Sequence, residues 1–356
     1  MNFYKIYVEN NFVKTFFNQL LFNDAIFFLF LIKFFIFKMN YFTKLIVSIL
    51  IAISSAFAWE PTKPIHVIIA QAPISGNELV FRKMSELVTT KTKATFLIEH
   101  HAGMDGVIAW NTFSQRPNDG YHITVQVLEA SWAALPTMFP TQLNTDPNQA
   151  ILVTPLASAP LVFVVKNTSG IRTMQELITA YQTQKLNVGT SGAPAKLMHS
   201  MFSEHIKGNK NIQTIPYKGI IPNLTDLVAG ATDISIVPAI STKALVEAGQ
   251  IRIIAVADDR PLPFNHTIPL ISDTIPNFTA KTTYTIFLPK DTPSEIVNWY
   301  IKNFSLAIND PAISSWLKDQ WSLPFPNPSL ESSRQIGDRT QQLLPMAKQF
   351  LKDSNE

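Results

Sequence analysis

The chain has 356 residues, of which 46% are hydrophobic and 15% charged, with 24 prolines, 12 glycines and no cysteine. That apolar fraction excludes wholesale disorder, and the missing cysteines exclude disulfide scaffolds, thiolate-bound zinc, cysteine-ligated iron–sulfur clusters and cysteine nucleophiles. A formal charge of +3 is too small to argue for a nucleic-acid partner.

The composition has a seam. Residues 1–58 hold 13 of the 25 phenylalanines, five lysines against Glu9 and Asp24, and no proline or glycine. The remainder is neutral, with 24 basic and 24 acidic residues. From Met39 the sequence reads as a secretory signal. Lys44 gives a basic start, Leu45 to Ile53 an apolar run, and Ala56-Phe57-Ala58 a small-x-small cleavage site, so that Trp59 opens the mature chain. The run is shorter than the ~20 apolar residues a spanning helix needs. Residues 1–38 read as an extension ahead of a true start at Met39. Their alternative is a membrane segment around Ala25–Phe37, which is short and interrupted by Lys33.

The mature part alternates strand and helix. Ile65–Ala70 is β-rich, Glu78–Thr90 has apolar residues near helical spacing, and Ala94–Glu99 is a second strand. Gly106–Ser114 reads as a helix and Tyr121–Leu128 as a third strand, an order that predicts a parallel sheet with right-handed crossovers. The second half repeats this. Leu161–Val165 is a strand, and Thr173 caps a helix over Met174–Gln182 with Glu176 completing a capping box. Leu186–Gly189 is a strand leading into a helix that ends near His205. Strands at Ile212–Tyr217, Ile234–Val237 and Ile253–Ala257 then alternate with helices at Ile221–Ala229 and Lys243–Glu247. Helices at Ser294–Ile308 and Ser332–Lys352 close the chain.

In open α/β sheets ligands lie beyond the carboxyl ends of the strands, where helix N-termini direct unpaired N–H groups and a positive dipole end outward. Two such turns are rich in small residues that let backbone approach a ligand. One is Ala72-Pro73-Ile74-Ser75-Gly76-Asn77-Glu78, the other Gly189-Thr190-Ser191-Gly192-Ala193-Pro194. Facing each other across a cleft, they could hold a carboxylate; otherwise each is an ordinary strand-to-helix turn.

Catalytic patterns are missing from the sequence: there is no G-x-S-x-G elbow, H-E-x-x-H or Walker loop. His100-His101 points to opposite faces of a strand, and no cofactor or metal is expected. Asp258-Asp259 reads as a solvated turn, and His199 and His205 lie off a common helix face.

The mature chain resembles the receptors of tripartite tricarboxylate transporters, the Bug receptor family. The resemblance rests on ordered blocks: Pro61-Thr62-Lys63-Pro64-Ile65, Ala72-Pro73 through Glu78 with Arg82, Gly103-Met104-Asp105-Gly106, and Asp119-Gly120-Tyr121. The most specific is Pro216-Tyr217-Lys218-Gly219 followed by Leu227-Val228-Ala229-Gly230 and Asp233. Ala248-Gly249-Gln250-Ile251-Arg252 and Pro289-Lys290-Asp291-Thr292-Pro293 complete the series.

The resemblance implies an α/β, type II periplasmic binding protein fold: two lobes around a cleft, joined by two crossings. The expected boundaries are 59–158 and 277–356 for one lobe and 159–276 for the other. It implies a periplasmic, monomeric receptor without enzymatic activity that captures a small carboxylate and delivers it to membrane permease subunits. Alternatives are a degenerate receptor serving in sensing or signalling, and an enzyme on the same frame. The expected binding residues are Ala72, Pro73, Ser75, Gly76, Asn77 and Glu78 from the first lobe. The second lobe would supply Thr190, Ser191, Gly192, Ala193, Lys196, Tyr217, Lys218, Gly219 and Asp233. Lys196 would be a counter-charge, and Asp233 would orient the cleft wall or meet a ligand amine. The chain departs from the resembled pattern where Ile74-Ser75 replaces Gly-Gly and Glu78 replaces Asp. It departs again where Gly192-Ala193 with Lys196 (or His199) replaces G-S-x-x-H. Because Ile74 does not readily take positive φ, the first turn is expected to differ in shape.

Overall fold

The computed structural model describes residues 59–71, 73–209, 211–325 and 329–341, together with Lys33 and Thr43. The proposed extension and signal segment, the site residue Ala72 and the end of the last expected helix lie outside the described residues.

The first half runs β1 (Ile65–Ile69), α1 (Gly76–Thr92), β2 (Phe96–His100), α2 (Val107–Ser114) and β3 (His122–Val127). A π-helical turn over Ala130–Ala134 and α3 (Leu135–Met138) lead into β4 (Ile151–Lys166). The second half is α4 (Met174–Thr183), β5 (Leu186–Ser191), α5 (Ala193–His205), β6 (Ile212–Tyr217), α6 (Ile220–Ala229), β7 (Ile234–Pro238), α7 (Lys243–Glu247) and β8 (Ile251–Val256). The chain closes with β9 (Lys281–Leu288), α8 (Ser294–Ile308), α9 (Pro311–Asp319), β10 (Leu323–Pro324) and α10 (Leu330–Gln341).

Strand β4 joins the halves. Its residues Ile151 to Pro160 lie against β9, while Leu161 to Lys166 lie between β7 and β8. The strand orders are therefore β2-β1-β3-β9-β4 and β6-β5-β7-β4-β8. Each half has a parallel trio with an antiparallel strand beside its third member. The register places Pro160 opposite Lys281, the first residue of β9, and Leu161 opposite Pro238, the last residue of β7. The carboxyl edges of both parallel trios thus converge on the point where the chain crosses. Three backbones tie that point together: Leu161 N–H donates to Ala280 O (2.9 Å), Ala280 N–H to Ala257 O (2.8 Å), and Ala257 N–H to Leu161 O (2.9 Å).

Each half has its own core. Phe81, Tyr300 and Phe304 are fully buried beneath the first sheet, and Phe163, Tyr181 and Phe202 in the second. The sequence reading found only the last third of β4, and no strand at β9. Pro155, which interrupts the apolar pattern, lies between register shifts at Leu152/Thr154 and Pro155/Ala157, while Pro160 stands where β4 crosses from β9 to β7. Bulges of this kind let proline, which lacks an N–H, sit inside a sheet.

Candidate functional site

The turn between β1 and α1 is built by a carboxylate. Glu78 Oε2 accepts the Ile74 N–H at 2.8 Å, and Glu78 Oε1 accepts from Arg82 at 2.7 Å. Burial alone would raise the Glu78 carboxyl. Arg82, the Ile74 N–H and His100 outweigh it and hold the group below its ordinary range. Ile74 takes φ 65°, a left-handed conformation costly for a β-branched side chain, with 71% of the residue exposed. Ile74 does take positive φ here, with its N–H held by Glu78. Asn77 serves the framework, donating to Gln71 Oε1 (2.6 Å) and to Val125 O (3.1 Å). Ser75 Oγ is buried without a hydrogen bond. A Cβ at Gly76 would lie 2.4 Å from Tyr284 Oη, in β9 of the same half, and 3.3 Å from Ile240, which leads out of β7, so backbone here packs tightly against both. Pro73 is exposed at the lip.

The turn between β5 and α5 is braced differently. Ser191 Oγ donates to Gly219 O (3.1 Å) and accepts from Asn223 Nδ2 (2.9 Å), while Ser235 Oγ donates to Asn223 Oδ1 (2.7 Å). Asn223 thereby pins Ser191, β7 and the Gly219 turn together, and the Ser191 hydroxyl is committed to the protein. Thr190 is fully buried and its hydroxyl has no partner. Gly192 adopts φ 77°, and Ala193 opens α5.

Helices α1, α5 and α6 begin at this edge behind Ser75, Gly192 and Gly219, and none has a side-chain cap. Away from it, Thr173 caps α4 with a full capping box and Asp310 caps α9. Helix N-termini left uncapped by side chains retain N–H donors for another acceptor.

Lys196, in the first turn of α5, does not stand free. Its Nζ lies 2.8 Å from Oδ2 of Asp105, in the turn between β2 and α2, so the pair bridges the two halves. Tyr217 lies at the end of β6, and its hydroxyl donates to Asp226 at 2.6 Å. Burial and that bond push its pKa up to about 12. Lys218 is exposed.

Asp233 is placed elsewhere, and its expected role in the cleft is corrected. It precedes β7 instead of following it, so it lies at the opposite pole of its half. There Oδ2 accepts the Asn187 N–H (2.8 Å) and its own N–H donates to Asn187 O (2.9 Å). The structure thus gathers every described candidate except Asp233 on the converging carboxyl edges. The sequence reading did not place Asp105, Glu129, Asn223 or Asp258 at the site. Glu129 follows β3, and Thr283 donates to it from both hydroxyl (2.6 Å) and N–H (2.8 Å), yet burial raises its carboxyl. Asp258, read as solvated, is 1% exposed. A charge at Asp105, within a block that resembles a glycine-rich one, was the available signal for that residue. His199 pairs with Tyr181 inside the second core, and burial lowers its pKa to about 4. Among the described residues no group of three or more His, Cys, Asp or Glu is arranged to hold a metal ion.

The sequence model of the "Tripartite tricarboxylate transporter family receptor" matches residues 80–350. The chain belongs to this receptor family. The protein BugT of Bordetella pertussis is 22% identical to this receptor over 271 residues, spanning 74% of this chain and 82% of that one. Two solved structures share its fold. Rpa4515 of R. palustris, solved with adipate, aligns with a TM-score of 0.76 at 21% identity over 82% of this chain and 97% of its own. MatC (Rpa3494) from Rhodopseudomonas palustris, with bound malate, gives 0.71 at 19% identity over 82% and 99%. The receptor is accordingly a two-lobed periplasmic solute-binding protein. Among its described residues no helix is long and apolar enough to cross a membrane.

Proposed function

We propose that the receptor captures a small carboxylate between the turns at 73–78 and 190–196 and presents it, enclosed by the two lobes, to permease subunits of a tripartite tricarboxylate transporter. The observation that carries this reading is the pair of helix N-termini, at Gly76 and Ala193, left without side-chain caps where the carboxyl edges converge. Their N–H groups and dipoles favour an anion. The unpartnered hydroxyls of Ser75 and Thr190 add hydrogen-bonding groups without adding charge. The adipate and malate of the two R. palustris proteins are ligands of the class this arrangement suits. The ligand leaves unchanged, because the part the turns play is recognition. Residues 39–58 direct export, and cleavage after Ala58 releases the mature chain.

A thermal-shift panel of mono-, di- and tricarboxylates and amino acids tests the proposal. A ligand at ~100 times its Kd adds ~2.7 kcal/mol of stability. The expected result is a shift of several degrees confined to carboxylates of one class. No shift from any carboxylate, with a cooperative melt, would overturn it.

A further inference from the structure

Lys196 and Asp105 meet across the two halves, and each stands where local chemistry does not favour it. Lys196 is in the first turn of α5, where the positive end of the helix dipole disfavours a cation. Asp105 is in a turn of four consecutive residues at positive φ: Gly103 (137°), Met104 (47°), Asp105 (53°) and Gly106 (116°). L residues adopt that conformation at a cost, and it persists only where the surroundings impose it. Met104 is exposed, so packing of its side chain does not impose it here. The contact that the turn makes is with Lys196, whose Nζ lies 2.8 Å from Asp105 Oδ2, with side chains only 20% and 19% exposed. A Cβ on Gly106 would lie 3.5 Å from Ala70 Cβ, so this turn runs beside the segment that leads out of β1. The pair thus ties the approach to the turn at 73–78 in one half to the turn at 190–196 in the other.

We infer that Asp105 and Lys196 form a latch: they position the two turns against each other before a ligand enters, so that the empty receptor populates the closed arrangement of its halves. They act as positioning residues, not as ligand contacts. Among the described residues only one other ion pair joins the halves, Lys243 with Asp319 at 3.0 Å. It lies two residues before Trp321, which shares the second half's core with Leu262 and stacks on Phe264 at 3.7 Å. That apolar contact and the continuous strand β4 are attachments suited to a hinge. The Asp105–Lys196 pair is of another kind. Neither charge has a second ion-pair partner among the described residues, so the contact is lost when the halves part. A pair of this exposure contributes a modest bias towards closure. Such a bias raises the binding-competent fraction of the empty protein, and apparent affinity scales with that fraction. It acts on every ligand alike, so it strengthens binding without selecting. The effect on affinity rests on the carboxylate reading above; the latch itself rests on the pair.

The test measures a distance without ligand. The chain has no cysteine, so Glu86→Cys on α1 and Glu204→Cys on α5, both exposed, place one spin label in each half. Pulsed-EPR distances are compared for this labelled parent and for the parent carrying Asp105→Asn, Lys196→Met or both. Asparagine keeps the left-handed backbone accessible, Lys196→Met leaves the 103–106 turn untouched, and melting curves check that each variant folds. The parent is expected to show mainly the separation found in the structure, and each single variant a new population at longer distance. The double variant should match the singles, because either substitution breaks the same pair. Calorimetric titration with adipate and malate, where they bind the parent, should show both singles weakened about three- to tenfold, by the same factor for each probe. A parent that is already open, distances unmoved by the substitutions, single effects that add in the double variant, or losses that differ between the probes would overturn the inference. Silence of every folded protein towards both probes and the wider carboxylate panel, with distances that shift as expected, would overturn the carboxylate reading and leave the latch standing.

Discussion

Glu78 Oε2 accepts the backbone N–H of Ile74 at 2.8 Å, so a buried carboxylate one helical turn into α1 shapes the loop that leads into it. The folded-state pKa of Glu78 is depressed, so its stabilisation is present above its unfolded value, near 4.3, and is lost as pH falls through the folded value. Glu78→Gln should cost about 1–3 kcal/mol at neutral pH, as loss of charged hydrogen bonds at a buried site does. The half-exposed Arg82 contributes little of that. Urea midpoints from pH 7 to pH 3 should show the gap between wild type and variant closing below about pH 4. A gap constant with pH would contradict the assignment.

Ile74 pays for its left-handed backbone with little burial to offset it, since it is 71% exposed. Ile74→Asn places a residue that tolerates this conformation at the same φ. It should stabilise the protein by about 1 kcal/mol, read as a higher urea midpoint with unchanged slope. A lower midpoint would mean that Ile74 is held there by packing.

Asn223 is fully buried and holds two serines. Asn223→Ala leaves the buried Ser235 hydroxyl without its acceptor and loosens the Ser191 brace. A loss of about 2–4 kcal/mol is expected from unsatisfied buried groups. Ligand affinity should also fall, because the Gly192 turn loses its support. Urea melts and titration of the best carboxylate measure the two effects separately. Unchanged affinity would show that the brace does not shape the site.

Asp258 follows the Ala257 backbone that ties the crossings, and burial, with the Asp259 contact, pushes its pKa up to about 6. A raised folded value means stability fully present below the unfolded value, near 3.9, and lost as pH rises through about 6. Asp258→Asn keeps an oxygen for the Asp259 and Arg260 N–H groups that Asp258 now accepts. The variant should match wild type near pH 4 and exceed it above pH 7, by on the order of 1–3 kcal/mol. Chemical denaturation at the two pH values checks this, and a variant less stable at pH 7 would contradict it.

The alternating elements were legible because apolar periodicity and caps such as Thr173 act within a few residues. The two small-residue turns were legible for the same reason. β9 and most of β4 were not, because prolines and threonines inside a buried strand break the local pattern and are reconciled only by bulges and long-range pairing. At the site, Lys196 was read as a free cation. The carboxylate that neutralises it is 91 residues earlier in the chain and on the other half, beyond any local pattern. Asp233 was placed in the cleft on the resemblance alone, although the strand read at Ile234–Val237 already sets it at the amino end, away from the carboxyl edge.

The central claim is that ligand lies between the turns at 73–78 and 190–196, the first of which contains Gly76. A methyl group on Gly76 would stand 2.4 Å from Tyr284 Oη of β9, in the same half, and 3.3 Å from Ile240. Gly76→Ala should cost about 1–3 kcal/mol through overpacking. The deciding measurement is a calorimetric titration of the best carboxylate into wild type and Gly76→Ala. The account predicts saturable binding by wild type and affinity at least about tenfold weaker in a variant that still melts cooperatively. Equal affinity in the two proteins would place the ligand elsewhere and contradict the account.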